Sequence, residues 1–169
     1  MCRKQKLQTD ERKRGMITRK MLYEHAQLLT ITGGGTSEEV LMELGEYAVE
    51  HQLAREGFPE ALLRRERQYP TGIQGVMGVA IPHSDQEYTK EASIVIALLE
   101  EPVSFRPMGG GGQVAVKVIF MLLLNKQEHQ VEVLENIVGF IQDERKLKEL
   151  WSEDAPARIY AAFGQYLHG

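Results

Sequence analysis

The stretch VAVKVIFMLLL, Val114–Leu124, is almost continuously apolar and does most to set the fold class. A second run, SIVIALL at Ser93–Leu99, is also rich in β-branched residues. Such runs are typical of interior strands that are covered on both faces. The unbroken part of the first run, Val118–Leu124, is far shorter than the roughly 20 apolar residues needed to span a bilayer. The two runs therefore predict the centre of a buried sheet.

Working outward, the flanking segments alternate between strand and helix patterns. Further strands are predicted at Ala26–Thr32 and Val79–Ile81, with a short one at Val103–Phe105 inside a loop. Apolar residues at helical spacing predict helices at Ser37–His51, at Pro59–Gln68, after Asn125, at Lys146–Trp151 and at Ala155–Leu167. This order predicts an α/β fold: a mixed central sheet of four to five strands with helices on both faces, a three-layer sandwich.

Two details of this pattern carry their own expectations. Val131, Leu134 and Ile137 recur at helical spacing, so we expect them to form the buried face of the helix after Asn125. The Gly109–Gly112 run lacks a following Lys-Ser/Thr and precedes a strand. It therefore predicts a hairpin-type loop and not a phosphate cradle.

Composition limits the function. The chain has 169 residues, which suits one domain, and a net charge of -4. Its basic cluster lies in Met1–Gly15, which holds six of the 20 Lys and Arg residues. We expect residues 1–20 to be a mobile tail and residues 21–169 to be a single domain. The acidic remainder argues against nucleic-acid binding.

Cysteine usage and the absence of apolar segments indicate the compartment. Cys2 is the only cysteine, so neither an internal disulfide nor a cysteine-rich metal site is expected. The basic tail is not followed by the apolar core of a secretory signal. We therefore expect a cytoplasmic protein that does not insert into the membrane and has no bound metal or cofactor.

A histidine is the best candidate for chemistry. No Walker loop, GxSxG or GxGxxG motif occurs, and no histidine pair has metal-ligand spacing. Of the five histidines, His83 follows Ile81-Pro82 at the end of a predicted strand, where α/β folds present functional groups. A neutral imidazole is a nucleophile near pH 7. On the Pro-His pair alone, a histidine merely packed at a strand end remains an alternative.

Three short motifs occur in order: Arg65-Glu66, Thr71-Gly72-Ile73 and Gly78-Val79-Ala80-Ile81-Pro82-His83. In this arrangement the chain resembles the enzyme IIA domain of the fructose–mannitol family of the bacterial phosphotransferase system. The stretch Ala61–His83 looks most like the galactitol-type branch. The resemblance extends over roughly residues 25–165 and includes Glu101–Val103, the long apolar strand and His129. It implies that 21–169 is a single enzyme IIA type 2 domain.

The resemblance implies a phosphotransferase component that works through phosphohistidine. The residue matching His83 accepts a phosphoryl group from phospho-HPr and passes it to a cysteine of the IIB component. The sugar or sugar alcohol, such as galactitol, is then taken up and phosphorylated through the membrane component IIC. By resemblance, IIB and IIC are separate chains, and the transfer needs no metal.

The resemblance also suggests supporting residues. Arg65 offers a planar guanidinium suited to phosphate. Thr71 either donates its hydroxyl to the phosphate or shapes the turn. His129, at a helix start, is expected to contact His83 or its phosphate. Asp85, unlike the small residues usual after the family histidine, either orients the ring or is simply exposed. His25, His51 and His168 have no motif context and are expected at the surface.

Two other functions stay open. One is a regulatory IIA-like protein that controls partners by its phosphorylation state. The other is a degenerate scaffold that has lost the chemistry, although the joint presence of Arg65, His83 and His129 argues against it.

Overall fold

The computed structural model describes residues 17–23 and 26–167, and the side chains of residues 26–166. Six strands form one sheet: β1 (Ile17–Tyr23), β2 (Ala26–Ile31), β3 (Gly72–Ile73), β4 (Gly78–Ala80), β5 (Ser93–Phe105) and β6 (Val114–Leu123). Five helices pack against it: α1 (Ser37–Glu50), α2 (Phe58–Gln68), α3 (Gln127–Ile141), α4 (Glu144–Glu149) and α5 (Ala155–Leu167).

The sheet is mixed, with the order β1-β2-β5-β6-β4-β3. The β2–β5 and β6–β4 pairs are parallel, and the other three pairs are antiparallel. The predicted α/β class is therefore confirmed. The sheet also contains the two-residue edge strand β3 and the strand β1. β1 begins at Ile17, inside the range 1–20 that was predicted as a tail, whereas residues 1–16 lie outside the described residues.

Two apolar layers cover the sheet, which confirms the three-layer arrangement. Side chains of β5 alternate between them: Val95 and Ala97 face the layer with α1 and α2, whereas Ile94 and Ile96 face the layer with α3, α4 and α5. All four are fully buried. The stretches Ile94–Leu99 of β5 and Val118–Leu123 of β6 are apolar at every position because both of their faces lie in a core.

The buried face of α3 agrees with the predicted one at Ile137 and Leu134 but not at Val131. Val131 is 62% exposed, whereas Val133, Ile137 and Phe140 are buried. Val131 and Val133 are two positions apart, about 200° around a helix, so only one of them can face the sheet. The apolar pattern contained two overlapping stripes, and contact with β6 and α5 selects the one through Val133.

β5 is longer than the predicted strand and includes Pro102. The ladder with β6 shifts register between Leu98 and Val103, and Pro102 is exposed there. A proline is tolerated at such an irregularity because no ladder hydrogen bond is required of it. The hairpin to β6 passes through Gly109–Gly112, whose φ values of 79° to 86° confirm the predicted turn.

β4 lies unusually close to β6. A side chain at Gly78 would overlap the backbone carbonyl of Ala115. The parallel pairing then aligns Val79 with Val118 and Ala80 with Ile119. Gly78 therefore allows the approach that brings the chain after β4 alongside the end of β6.

We expect Gly78→Ala to lower the free energy of unfolding by about 1–3 kcal/mol, because the added methyl group meets backbone that cannot rotate away. The matched control is Gly139→Ala in α3, where nothing lies within 4 Å of the added group. That change should stabilise by about 0.5–1 kcal/mol, since alanine favours helix. Urea denaturation checks both values, and equal effects would contradict the close approach.

Candidate functional site

A cleft of about 390 Å³ opens at the edge of the sheet where the parallel strands β4 and β6 both end. Its walls come from α2, from the segment after β4, and from the end of β6 with the start of α3. The lining residues are Arg65, His83, Ser84, Asp85, Gln86, Glu87, Leu122, Leu124, Lys126, Gln127 and Gln130. Among the described residues, no helix is long and apolar enough to cross a bilayer.

His83 is fixed by backbone contacts at the rim of this cleft. The N–H of Leu122 donates to the carbonyl of Pro82 at 3.0 Å, and His83 pairs with Leu122 in an isolated parallel bridge. Nδ1 of His83 lies 2.9 Å from the carbonyl oxygen of Ile81. A carbonyl can only accept, so Nδ1 carries the hydrogen of the neutral ring. The lone pair is then on Nε2.

The surroundings of His83 favour its neutral form. Burial lowers the pKa of His83 below its usual 6.5, and the positive charge of Arg65 lowers it further. The hydrogen bond to Ile81 and the negative charge of Asp85 act in the opposite direction and raise it. Because burial dominates, the ring is a neutral nucleophile at pH 7.

Arg65 reaches the cleft from the last turn of α2. Its guanidinium lies 4.7 Å from the ring centre of Tyr69, and Nη1 lies 4.0 Å from a carboxylate oxygen of Asp85. Within the described residues, the buried side-chain atoms that lack a hydrogen-bond partner are Arg65 Nε and Ser84 Oγ. Both residues line the cleft. An unsatisfied buried donor costs about 1–3 kcal/mol, so an acceptor that reached either atom would recover that cost.

Thr71 does not line the cleft. Its hydroxyl donates to Glu66 Oε2 at 2.8 Å and accepts the N–H of Ile81 at 3.1 Å. A hydroxyl has a single hydrogen to donate, and here Glu66 takes it. The geometry favours the turn-shaping role of Thr71 over phosphate binding.

His129 lies in the first turn of α3 but is not among the residues that line the cleft. Its Nδ1 lies 3.2 Å from the carbonyl oxygen of Tyr166 in α5, and Nε2 lies 3.9 Å from Glu128. The cleft is lined instead by its neighbours Lys126, Gln127 and Gln130. The structure therefore brings Arg65 and His83 together but does not bring His129 to them.

The other histidines and Asp85 can also be compared with their predicted positions. His51 is half-buried and stacks on Tyr47 with 3.9 Å between ring centres, so it is not a plain surface residue. His25 and His168 lie outside the described residues. Asp85 is exposed, which fits the second of its two predicted roles, and its carboxylate lies 4.0 Å from Arg65 Nη1. Among the described side chains, no cluster of His, Cys, Asp and Glu could hold a metal ion.

Sequence reasoning assigned no role to Glu66. It accepts two hydrogen bonds from Thr71, one from the backbone N–H at 2.9 Å and one from the hydroxyl. Burial raises its pKa, and those two hydrogen bonds oppose the rise. The sequence could have pointed to Glu66 in one way: it lies five residues before Thr71 and directly after the arginine of the Arg65-Glu66 motif.

The two charges that flank His83 predict opposite changes in its pKa. Arg65→Gln removes a repelling positive charge and should raise the pKa of His83, whereas Asp85→Asn removes an attracting negative charge and should lower it. NMR titration of the His83 ring measures both. Glu101→Gln, an exposed change at the far end of β5, controls for net charge. Shifts of the same sign in Arg65→Gln and Asp85→Asn would contradict this electrostatic account.

Comparison with known proteins identifies the family of the chain. Residues 26–166 match the family described as the phosphoenolpyruvate-dependent sugar phosphotransferase system, EIIA 2. The galactitol-specific EIIA component of the phosphotransferase system from Escherichia coli (strain K12) is 28% identical over 105 residues. That match covers 62% of this chain and 70% of the relative.

Two solved structures are also similar. The nitrogen regulatory protein IIA-Ntr from Neisseria meningitidis has a TM-score of 0.62 and 27% identity, and the match covers 82% of this chain and 92% of that one. The complex of enzyme IIAMTL and phosphorylated enzyme IIBMTL from Escherichia coli has a TM-score of 0.63. At 19% identity, covering 86% of this chain and 97% of that one, it supports the fold alone.

The resemblance that the motifs indicated is thus confirmed over residues 26–166: the chain belongs to the EIIA type 2 family of the phosphoenolpyruvate-dependent sugar phosphotransferase system.

Proposed function

We propose that the protein is a cytoplasmic phosphocarrier that accepts a phosphoryl group from phospho-HPr on His83 and passes it to a cysteine of a IIB component. One observation carries the proposal. His83 is held neutral with Nδ1 on the Ile81 carbonyl, and its Nε2 lone pair is at the rim of a cleft that also contains Arg65.

The chemistry balances without an added proton or metal. Nε2 attacks the phosphorus of phospho-HPr, the new N–P bond forms, and the donor's bond to phosphorus breaks. Nδ1 keeps its hydrogen on Ile81 throughout. In the second step a IIB thiolate attacks the same phosphorus, an S–P bond forms, and the lone pair returns to Nε2 of His83. Such transfers depend mainly on alignment and charge stabilisation.

The groups beside His83 suit a phosphoryl group. Arg65 supplies positive charge and a buried Nε donor without a partner, and Ser84 supplies a buried hydroxyl in the same condition. Phosphate oxygens accept hydrogen bonds from such donors, and charge-assisted ones are the strongest. Asp85 is the opposing element, because its carboxylate competes with phosphate for Arg65.

The surface around the cleft suits transient protein partners. Val131 of α3 is exposed close to Gln130 of the cleft wall, and the half-exposed Tyr69 lies under the guanidinium of Arg65. HPr and IIB must both reach one imidazole, so we propose that they use this same face in turn. A carrier must release each partner, which favours a small interface. The galactitol-specific relative supports galactitol, or a related sugar alcohol, as the final acceptor, acting through IIC.

The first prediction concerns the acceptor. His83→Asn should fold and take no phosphoryl group from phospho-HPr, because no Nε2 lone pair remains. His129→Gln serves as the matched control and should still be labelled on His83. Intact mass after incubation with enzyme I, HPr and phosphoenolpyruvate gives the result, with site mapping and melting in parallel. Normal labelling of folded His83→Asn would move the site elsewhere.

The second prediction concerns the supporting residues. Arg65→Gln removes one charged hydrogen-bond donor, worth about 1.5–3 kcal/mol, so transfer should slow roughly 10- to 100-fold. His129→Gln should slow transfer less, because its ring contacts Tyr166 and does not line the cleft. Rapid-quench kinetics from phospho-HPr measures both rates. An unchanged rate in Arg65→Gln would remove Arg65 from the site.

A regulatory role is the second candidate. The nitrogen regulatory protein is 27% identical and the galactitol-specific component 28%, so identity does not separate them. The discriminating measurement is the onward step from phosphorylated protein to a purified galactitol-type IIB. Rapid transfer to its cysteine supports the transport role, and a stable phosphorylated protein supports the regulatory one.

A further inference from the structure

We propose that Glu66 and Thr71 are positioning residues for His83: a hydrogen-bonded chain from the Glu66 carboxylate through the Thr71 hydroxyl to Ile81 fixes the carbonyl that selects the ring tautomer. The proposal rests on the proposed function, because that tautomer decides which nitrogen attacks phosphorus. It gives a role to a half-buried carboxylate that the transfer chemistry itself does not use.

The chain consists of four hydrogen bonds. Glu66 accepts the Thr71 backbone N–H at 2.9 Å and the Thr71 hydroxyl at 2.8 Å. The hydroxyl oxygen accepts the Ile81 N–H at 3.1 Å, and the Ile81 carbonyl lies 2.9 Å from Nδ1 of His83. The directions are consistent when Glu66 is ionised: its carboxylate then accepts both hydrogen bonds, and Nδ1–H of His83 donates.

The hydrogen bond from Thr71 to Ile81 takes over where the β3–β4 ladder ends. β3 and β4 pair through Gly72 with Ala80, and Ile81 is the first residue beyond that pairing. The next residue, Pro82, has no N–H with which to continue a ladder. The side chain of Thr71 therefore provides the hydrogen bond that holds the N–H of Ile81, where the neighbouring strand no longer supplies one.

The orientation of Ile81 matters because one carbonyl oxygen sets the chemistry of the ring. With that oxygen facing Nδ1, the hydrogen stays on Nδ1 and the lone pair on Nε2. If the oxygen turned away, neutral His83 would divide between two tautomers, and part of the population would present the wrong nitrogen. Misplacing a reacting group by about 1 Å can cost on the order of 100-fold in rate.

The two neighbouring residues of the Arg65-Glu66 motif thus have different roles. Arg65 and Glu66 are successive residues of α2, about 100° apart around the helix. Arg65 faces the cleft, and Glu66 faces the turn that holds Ile81. If the side chains of Arg65 and Glu66 exchanged places, the carboxylate would face the cleft that is proposed to bind phosphate. The guanidinium would then lie against Thr71.

The test uses Thr71→Val, which keeps the shape but removes the hydroxyl. Nitrogen-15 NMR of the unphosphorylated protein should show His83 changing from one tautomer, with hydrogen on Nδ1, to a mixture. Transfer from phospho-HPr should fall on the order of tenfold. Thr71→Ser restores the hydroxyl and should restore both the tautomer and the rate.

Thr36→Val is the matched control. Thr36 also uses its hydroxyl to hold a backbone N–H, that of Glu39 at the start of α1, and it does not line the cleft. It should lower the melting temperature without changing the His83 tautomer. If Thr71→Val does not fold, Glu66→Gln keeps the volume, removes one acceptor and should give a smaller tautomer shift.

The NMR measurement and the transfer measurement distinguish the positioning role of Glu66 and Thr71 from the proposed phosphocarrier function. A single unchanged tautomer in Thr71→Val, or failure of Thr71→Ser to restore it, overturns the positioning role. The NMR arm decides this in the free protein even if the unmodified chain takes no phosphoryl group, an outcome that would overturn the proposed function alone.

Discussion

The parallel pairing of β4 with β6 is the constraint on which the site depends. It requires backbone to approach backbone where Gly78 meets the Ala115 carbonyl. Once formed, it carries the chain to Pro82, whose carbonyl accepts the N–H of Leu122, and places His83 beside the end of β6. The start of α3 follows directly from β6, so one pairing brings two walls of the cleft together.

The charges around the cleft suit the proposed role of His83, which is neutral in the free protein and would carry a charged phosphoryl group between two transfers. Burial and Arg65 favour neutral His83, and Arg65 Nε and Ser84 Oγ are buried without a hydrogen-bond partner. Asp85 balances Arg65 at 4.0 Å, a distance at which half-exposed charges interact weakly. The proposed carrier must give up its phosphoryl group and would benefit from binding it only moderately, which such a pair of opposed charges would favour.

The motifs also show how neighbouring residues serve different purposes. In Arg65-Glu66 the first side chain faces the cleft and the second anchors Thr71. In Ile81-Pro82-His83 the first residue supplies the carbonyl for the ring, the second bonds to β6, and the third is the proposed acceptor. A short stretch of sequence can therefore be informative as a whole while only one of its residues carries the proposed chemistry.

The sequence by itself determined the buried central strands, the helices on both faces and the glycine turn, and it singled out His83 as the candidate for chemistry. These depend on local features: apolar period, turn chemistry and a contiguous motif. The tertiary structure alone decided that Val131 is exposed, that the Thr71 hydroxyl bonds Glu66, and that His129 faces Tyr166. His129 and Tyr166 are 37 positions apart. The direction of a polar side chain depends on which distant backbone group is left unsatisfied nearby, and no local pattern encodes that.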